Sequence, residues 1–307
     1  VNPGLLLGVS ALVHEAHTSG LLSALLAGPG SAAQLAARAG LTPGPVGLVL
    51  SGLVALELAA EDGEVFCASP ALKTFGDQTP GGAALQREVW GSLGAALRGD
   101  PAASWEDRVA RYPGVVAGLG ALWGEVPHRL AEWVGGGEVV VDVGCGSGPW
   151  GRALTRPGGR LVGVDLPPVL QRLQEAAATS PIRVELIGGD MHAVEVPVGQ
   201  ADRVVIANVL RLEPPDRAAA LLARWARALR PGGRLVVVDA LAGGTPEAEL
   251  DRRIYALHLG LRFPNGRVHP PAEVEAWMAA AGLREIGSVS LGAAPGALGA
   301  LVGVAPC

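Results

Sequence analysis

The sequence predicts an α/β fold: a parallel sheet with helices on both faces that ends in an antiparallel hairpin, preceded by a helical, winged-helix-like unit. Three observations predict it. From Glu138 onward, short β-branched runs alternate with helical spacing, as in successive βαβ units. The hydrophobic run Val139–Val143 breaks into a glycine loop, Gly144-Cys-Gly-Ser-Gly148, and then a helix. Upstream, helical patterns prevail as far as Val134-Gly-Gly-Gly137, where the composition changes and a domain boundary is expected.

Composition sets the limits. With 307 residues, 49% of them apolar and 17% charged, the chain is long enough for two cores. Its 45 glycines and 24 prolines fall between periodic segments and form no triplet repeat, which excludes a fibrous or wholly disordered chain. The longest weakly polar stretch, Val46–Ala60, carries Glu57 and is shorter than the roughly 18 apolar residues of a membrane span, so no membrane partner is expected. Cys67, Cys145 and Cys307 are too scattered for a disulfide framework or a metal site; they fit a reducing cytoplasm, and no metal is expected. No basic leader stands at the beginning of the sequence, and secretion is not expected. A formal charge of −5 gives nucleic acid and anionic lipid no electrostatic attraction, which leaves a small organic molecule as the expected partner.

In the first part, Ser31-Ala-Ala-Gln34 has the form of a capping box, and Gly40 is placed to close the helix it starts. Thr42-Pro43 starts a second helix running to about Leu58. Asp62-Gly63 followed by Val65-Phe-Cys67 reads as a short hairpin, giving helix, turn, helix and wing. Residues 1–134 hold seven Lys/Arg against twelve Asp/Glu, so phosphate is repelled and a protein–protein role is expected for this resemblance to a winged helix. Apolar helical positions such as Leu5-Leu-Leu7, Val9 and Leu12-Val13 suit docking on a second subunit.

In the second part, strands are expected at Glu138–Val143, Arg160–Val164, Ile182–Leu186, Arg203–Ala207 and Arg234–Asp239. Helices are expected at Trp150–Leu154, Pro168–Ala178, Asp216–Leu229, Leu250–Leu261 and Ala272–Ala281. Two weaker strands, Glu285–Leu291 and Leu298–Val304, complete the sheet. An internal echo, Arg156-Pro-Gly-Gly-Arg-Leu-Val-Gly-Val-Asp165 and Arg230-Pro-Gly-Gly-Arg-Leu-Val-Val-Val-Asp239, reads as two copies of a helix end that turns on Gly-Gly into a buried strand. Each copy delivers a carboxylate to a strand's carboxyl end, where open α/β sheets bind ligands.

The glycine loop lets the backbone turn tightly and approach a ligand closely, with the free N–H groups of the following helix behind it. Alone it is ambiguous, because Gly146-Ser-Gly148-Pro-Trp-Gly151 also satisfies GxGxxG, with Asp165 at about the 20-residue spacing of a dinucleotide site. Asp142 in the strand before the loop, Gly188-Gly-Asp-Met191 and Leu229-Arg-Pro-Gly-Gly233 shift the balance. Together these motifs resemble the class I S-adenosylmethionine (SAM)-dependent methyltransferases, over residues 138–304. The resemblance implies a Rossmann-like SAM-binding sheet. The Gly144–Gly148 loop then lies against the amino-acid part of the cofactor, with Asp142, Gly144, Cys145 and Gly146 among the implied cofactor residues; Asp165 binds the ribose hydroxyls, Asp190 accepts from the adenine amino group, and Leu166 and Met191 sandwich the base. S-Adenosyl-L-homocysteine (SAH) is the implied product.

Asp165-Leu-Pro-Pro-Val-Leu170, Gly189-Asp-Met191, Asn208-Val-Leu210 and the winged-helix-like front part resemble more narrowly the plant-type O-methyltransferases and their bacterial natural-product relatives, a family of intertwined homodimers. Asn208 joins the implied cofactor residues. Family members follow the fourth strand with Val-Leu-His-Asp-Trp, whose His deprotonates the acceptor hydroxyl; this chain reads Val209-Leu-Arg-Leu-Glu213. Arg211 has no lone pair at neutral pH and is no substitute base. Of the two family acids flanking that His, one falls on Asp239 and the other on Val268. Either Arg211 and Asp239 are expected to pair in the pocket wall, or Arg211 is expected to hold an anionic acceptor group, with alignment of the nucleophile doing the rest. His258, Glu213 and His192 are the candidate substitute bases.

The family places its acceptor pocket along the segment equivalent to Tyr255–Arg262 and under a helical roof, so Tyr255, Arg262, Trp105 and Trp123 are candidate acceptor contacts. Trp225 and Trp277 read as core. The division expected is a winged-helix-like dimerisation domain over 1–100, a helical linker and acceptor-site roof over 101–134 and a SAM-binding domain over 135–307. The expected reaction is methylation of a small aromatic or polyketide-like metabolite; three alternatives stay open, a non-methylating reaction that uses the cofactor's charge, a DNA-binding sensor, and an NAD-dependent oxidoreductase.

Overall fold

A computed structural model of the chain describes residues 2–76, 83–99, 123–241, 245–292 and 298–307. The chain divides into two units, residues 1–88 and 89–307.

The first unit opens with helices α1 (Pro3–Thr18), α2 (Leu21–Leu26), α3 (Ala32–Ala39) and α4 (Pro43–Ala55). The capping box that starts α3 is present: Ser31 Oγ accepts from the Gln34 amide at 3.3 Å and Gln34 Oε1 accepts from the Ser31 amide at 2.9 Å. Helix α4 stops three residues before the expected Leu58. Glu57 turns to φ 57°, and the amides of Glu57 and Leu58 bond back to the carbonyls of Val54 and Leu53, a Schellman closure formed without glycine. Strands β1 (Ala59–Asp62) and β2 (Val65–Ala68) then pair antiparallel, with Gly63 at φ 61° in the turn, so the expected wing is there. Leu21, Leu25, Leu35, Leu50, Leu53 and Leu72 form its core. Leu5, Leu6 and Leu7 on α1 are exposed.

The second unit is built on one seven-stranded sheet. Its strands are β3 (Gly137–Val143), β4 (Thr155–Asp165), β5 (Arg183–Gly188), β6 (Ala201–Ala207), β7 (Leu229–Asp239), β8 (Arg284–Ser290) and β9 (Gly299–Val304), in the order β5-β4-β3-β6-β7-β9-β8. The first five are parallel, and β9 and β8 add the antiparallel hairpin. The chain winds outward from β3 to β5, then returns to β6 beside β3. That reversal opens a crevice beyond the carboxyl ends of β3, β4 and β6.

The repeated Arg-Pro-Gly-Gly segments are not helix ends. Both lie inside strands: Thr155 already pairs with Gly137 and Leu229 with Ala201, and a register shift takes up the extra residues. The first glycine of each turns to positive φ (Gly158 79°, Gly232 71°). A Cβ on the second would stand 2.9 Å from carbonyl oxygens, of Arg156 and Glu138 at Gly159 and of Arg230 and Ala201 at Gly233. For the same reason the helix before β7 ends at Ala226 rather than Leu229.

Helices cover both faces. Trp225, Leu221 and Leu222 pack under one, with Val204, Ile206 and Leu235. Leu130, Leu154, Leu161 and Leu173 pack under the other. Trp225 is fully buried, and its indole N–H donates to the Met191 carbonyl at 3.0 Å. Among the described residues no helix is long and apolar enough to cross a membrane.

Candidate active site

The loop after β3 is shaped by backbone bonds to the neighbouring strand β4 and within itself. The amides of Gly144 and Cys145 donate to the Val164 carbonyl at 2.8 and 3.1 Å, and the Gly148 amide to the Cys145 carbonyl at 2.7 Å. Gly144, Gly146 and Gly148 all have positive φ, and a Cβ on Gly144 would stand 2.5 Å from Val209 Cγ2. The helix behind the loop, Pro149–Leu154, offers fewer donors than the sequence implies. Pro149 has no N–H, and the Gly151 amide donates to Asp142 Oδ2 at 2.9 Å. The loop is therefore a close-approach surface more than a rack of amide donors.

Asp142 is 1% exposed, and its carboxylate faces that helix rather than the crevice. Its Oδ2 supports the start of that helix. Burial raises its pKa from 3.8 to about 7 against the opposing Gly151 hydrogen bond, with Asp165 adding to the rise. Cys145 is buried too, and burial with the two nearby carboxylates pushes its thiol well above the ordinary range, which makes it unreactive.

Asp165 stands at the tip of β4, with Oδ2 accepting from the Gly146 amide at 2.8 Å and Oδ1 from the Leu166 amide at 2.7 Å. Burial raises its pKa and these two bonds lower it. A carboxylate has about four acceptor sites, so lone pairs remain for a pair of ribose hydroxyls. That spare capacity, beside a loop in which Gly144, Gly146 and Gly148 carry no Cβ, fits a nucleoside cofactor. Leu166 follows, half-buried, just ahead of the helix Pro167–Ala177.

Beyond β5, Asp190 is exposed and its Oδ1 accepts from the His192 amide at 2.9 Å. Met191 is half-buried against the core. His192 donates from Nε2 to Glu213 Oε1 at 3.0 Å, and Glu213 also pairs with Arg217 at 2.9 Å, so neither candidate base is unengaged. The sequence reading missed His269. It is 5% exposed, and its Nε2 donates to the carbonyls of Leu210 and Glu213 at 3.0 and 3.1 Å, fixing the turn that carries Arg211. Its neighbour in sequence, Val268, packs beside Tyr255 and Leu259 in the place of the second acid.

Asn208 follows β6 in the left-handed region, φ 61°, with its amide bonded to the Val238 carbonyl at 2.7 Å. Arg211 is 4% exposed and held on several sides. Its Nε lies 2.8 Å from Asp239 Oδ1, close enough for an ion pair but off the axis of a hydrogen bond. Its amide donates to Asp239 Oδ2 at 3.2 Å, while Nη1 donates to the Tyr255 hydroxyl and Nη2 to Asn208 Oδ1. Burial opposes the charge, but the Asp239 carboxylate and the Tyr255 hydroxyl outweigh it and keep the guanidinium's pKa above its usual value. The three side-chain nitrogens of Arg211 thus each face an oxygen, of Asp239, Tyr255 and Asn208.

Tyr255 and His258 lie on the helix Pro246–Arg262, both buried, with ring centroids 6.0 Å apart and nearly parallel. Trp90, which the sequence reading did not single out, stands 5.7 Å from His258. The Arg262 guanidinium lies 5.1 Å from the Phe263 ring. Trp123 is 4% exposed and its indole meets that of Trp150 at 5.8 Å, among Leu130 and Leu154. Trp105 lies outside the described residues. Among the described residues no cluster of His, Cys, Asp and Glu has the arrangement of a metal site.

Comparison with known proteins gives consistent likenesses. A family model described as an O-methyltransferase domain matches residues 130–284. The demethylspheroidene O-methyltransferase of Cereibacter sphaeroides is 30% identical over 295 residues, covering 84% of this chain and 74% of that protein. The tetracenomycin polyketide synthesis 8-O-methyl transferase TcmO of Streptomyces glaucescens is 29% identical over 293 residues, covering 86% and 85%. In fold, human N-acetylserotonin methyltransferase, solved in complex with SAM, superposes with a TM-score of 0.67 at 21% identity, covering 97% of this chain and 94% of that one.

Proposed function

The chain belongs to the O-methyltransferase family, and from that premise we propose which of its residues carry the reaction and on what kind of acceptor. It is a SAM-dependent methyltransferase of a small metabolite. One observation supports the cofactor assignment above others: Asp165, at the strand tip beside the crevice, is tied to the glycine loop at 2.8 Å with acceptor capacity to spare. When bound, the cofactor supplies a methyl carbon already activated by the neighbouring sulfonium. In this reading Asp165 binds the ribose, Gly144, Cys145 and Gly146 line the amino-acid part, Asp190 meets the adenine edge, and Leu166 and Met191 flank the ring. Asn208 closes the crevice from the β6 side.

Arg211 and Asp239 hold the pocket wall and accept no proton from substrate. Their work is to fix Tyr255 and Asn208 and to exclude water, so the acceleration comes mainly from alignment of the nucleophile at about 3–3.5 Å from the methyl carbon. A planar aromatic or polyketide-like acceptor agrees with the rings of Tyr255 and Trp90 and with the tetracenomycin-pathway relative. The exposed leucines of α1 support a homodimer, with residues 1–100 as its dimerisation domain, 101–134 as linker and roof, and 135–307 as the SAM-binding domain. Three cysteines, none of them in a disulfide, suit a cytoplasmic enzyme.

Incubation with SAM and a panel of aromatic hydroxyl compounds, followed by mass spectrometry, tests the reaction. The expected result is SAH together with a product heavier by one methylene. Product formed with SAM unconsumed contradicts methyl transfer.

A further inference from the structure

We propose, resting on the reading above, that His258 receives the hydrogen of the acceptor's hydroxyl, the part that Arg211 at the family's histidine position cannot play. His258 is 6% exposed, and among the described residues neither Nδ1 nor Nε2 has a hydrogen-bond partner. Buried polar atoms in folded proteins are nearly always paired, and here both nitrogens of one ring are not. The ring belongs to a continuous wall: Gly144 of the cofactor loop abuts Val209, Asn208 and Tyr255 both bond to Arg211, and the Tyr255 ring lies along that of His258.

The form of the imidazole narrows the ligand. Burial and the Arg262 guanidinium push its pKa down to about 4, so it is neutral under physiological conditions, with one N–H and one lone pair. The lone pair calls for a hydrogen. A hydroxyl brings one; an ether or a ketone does not. With Trp90 tilted 52° to the imidazole and Tyr255 inclined at 17° to it, the surroundings suit a flat ring bearing that hydroxyl.

In the reaction the acceptor oxygen gives its proton to the His258 nitrogen, forms the new C–O bond with the methyl carbon, and the electron pair of the broken S–C bond stays on sulfur in SAH. The imidazolium then releases the proton to water. Because its conjugate acid is strong, His258 selects hydroxyls more acidic than a simple phenol.

The test is tryptophan-fluorescence titration of the full chain, saturated with SAH, using phenol and anisole as probes. Anisole keeps the ring but lacks the hydroxyl hydrogen, and it is the more hydrophobic of the two, so simple partition favours it. The expected result is phenol binding about tenfold tighter than anisole or better. In His258→Phe the preference disappears, and in His258→Asn, whose side-chain oxygen still accepts, part of it remains. Unchanged SAH affinity identifies the variants that keep their fold, and the Asn variant carries the comparison if the Phe variant does not. Equal or undetectable binding of the two probes by the wild type, or a preference that survives in the variants, overturns the proposal. Failure of the wild type to bind SAH overturns the cofactor reading instead, and the phenol–anisole comparison is then made on the protein alone.

Discussion

Nε of Arg211 lies 2.8 Å from Oδ1 of Asp239, with the two side chains 5% and 8% exposed, and the pair joins the turn after β6 to the tip of β7. A charge pair buried this deeply is held less by its attraction, which desolvation largely cancels, than by the cost of leaving either member alone.

Asp239→Ala therefore strips a buried guanidinium of its counterion. The expected loss of stability is about 3–5 kcal/mol, read from urea unfolding midpoints. The double variant Arg211→Met/Asp239→Leu removes both charges and is expected to recover most of that loss. A double variant as unstable as the single one contradicts the account of the pair.

Asp142 gives stability a pH dependence of unusual sign. Its folded pKa is raised from 3.8 to about 7, so between those values the folded state keeps a proton that the unfolded state has released, and stability falls as pH rises through that window. Asp142→Asn keeps an acceptor for the Gly151 amide and does not ionise. It is expected to match the wild type near pH 4 and to exceed it near pH 8 by roughly 2–4 kcal/mol. Equal stabilities at both ends, measured by chemical denaturation, contradict the burial of this carboxylate.

Two glycines separate shape from strain. Gly144 and Gly158 both have positive φ, 69° and 79°, but a Cβ at Gly144 meets Val209 Cγ2 at 2.5 Å, whereas one at Gly158 meets nothing within 4 Å. Alanine at either position is expected to cost about 1–3 kcal/mol of stability. Only Gly144→Ala is expected to weaken SAH binding, by about tenfold or more, because it deforms the loop and the turn of Val209 together. Calorimetric affinities that fall equally in both variants contradict the close-approach role of the loop.

Local pattern carries much of this molecule. The β-branched runs from Val139 to Val238, the capping box at Ser31 and the Asp-Gly turn at Gly63 are each decided by neighbours a few residues away, and so they are legible. Asp165 is legible because a carboxylate ending a strand after a glycine loop is itself a local pattern. Less legible are elements set by distant chain. Leu229 is a strand residue because Ala201 lies beside it, and Asp142 turns to a helix amide rather than to the crevice. Arg211 takes its partners 3, 28 and 44 residues away, a distribution no sequence window reveals. His269 and Trp90 gave no motif at all; only the folded chain brings one under the Arg211 turn and the other against His258.

Isothermal titration of SAH into the wild type and Asp165→Ala tests the central assignment most directly, with near-UV circular dichroism to check that the fold survives release of the Gly146 amide. The alanine variant is expected to bind about a hundredfold more weakly or not at all, the loss of two charge-assisted hydrogen bonds to the ribose. An affinity equal to that of the wild type contradicts the assignment.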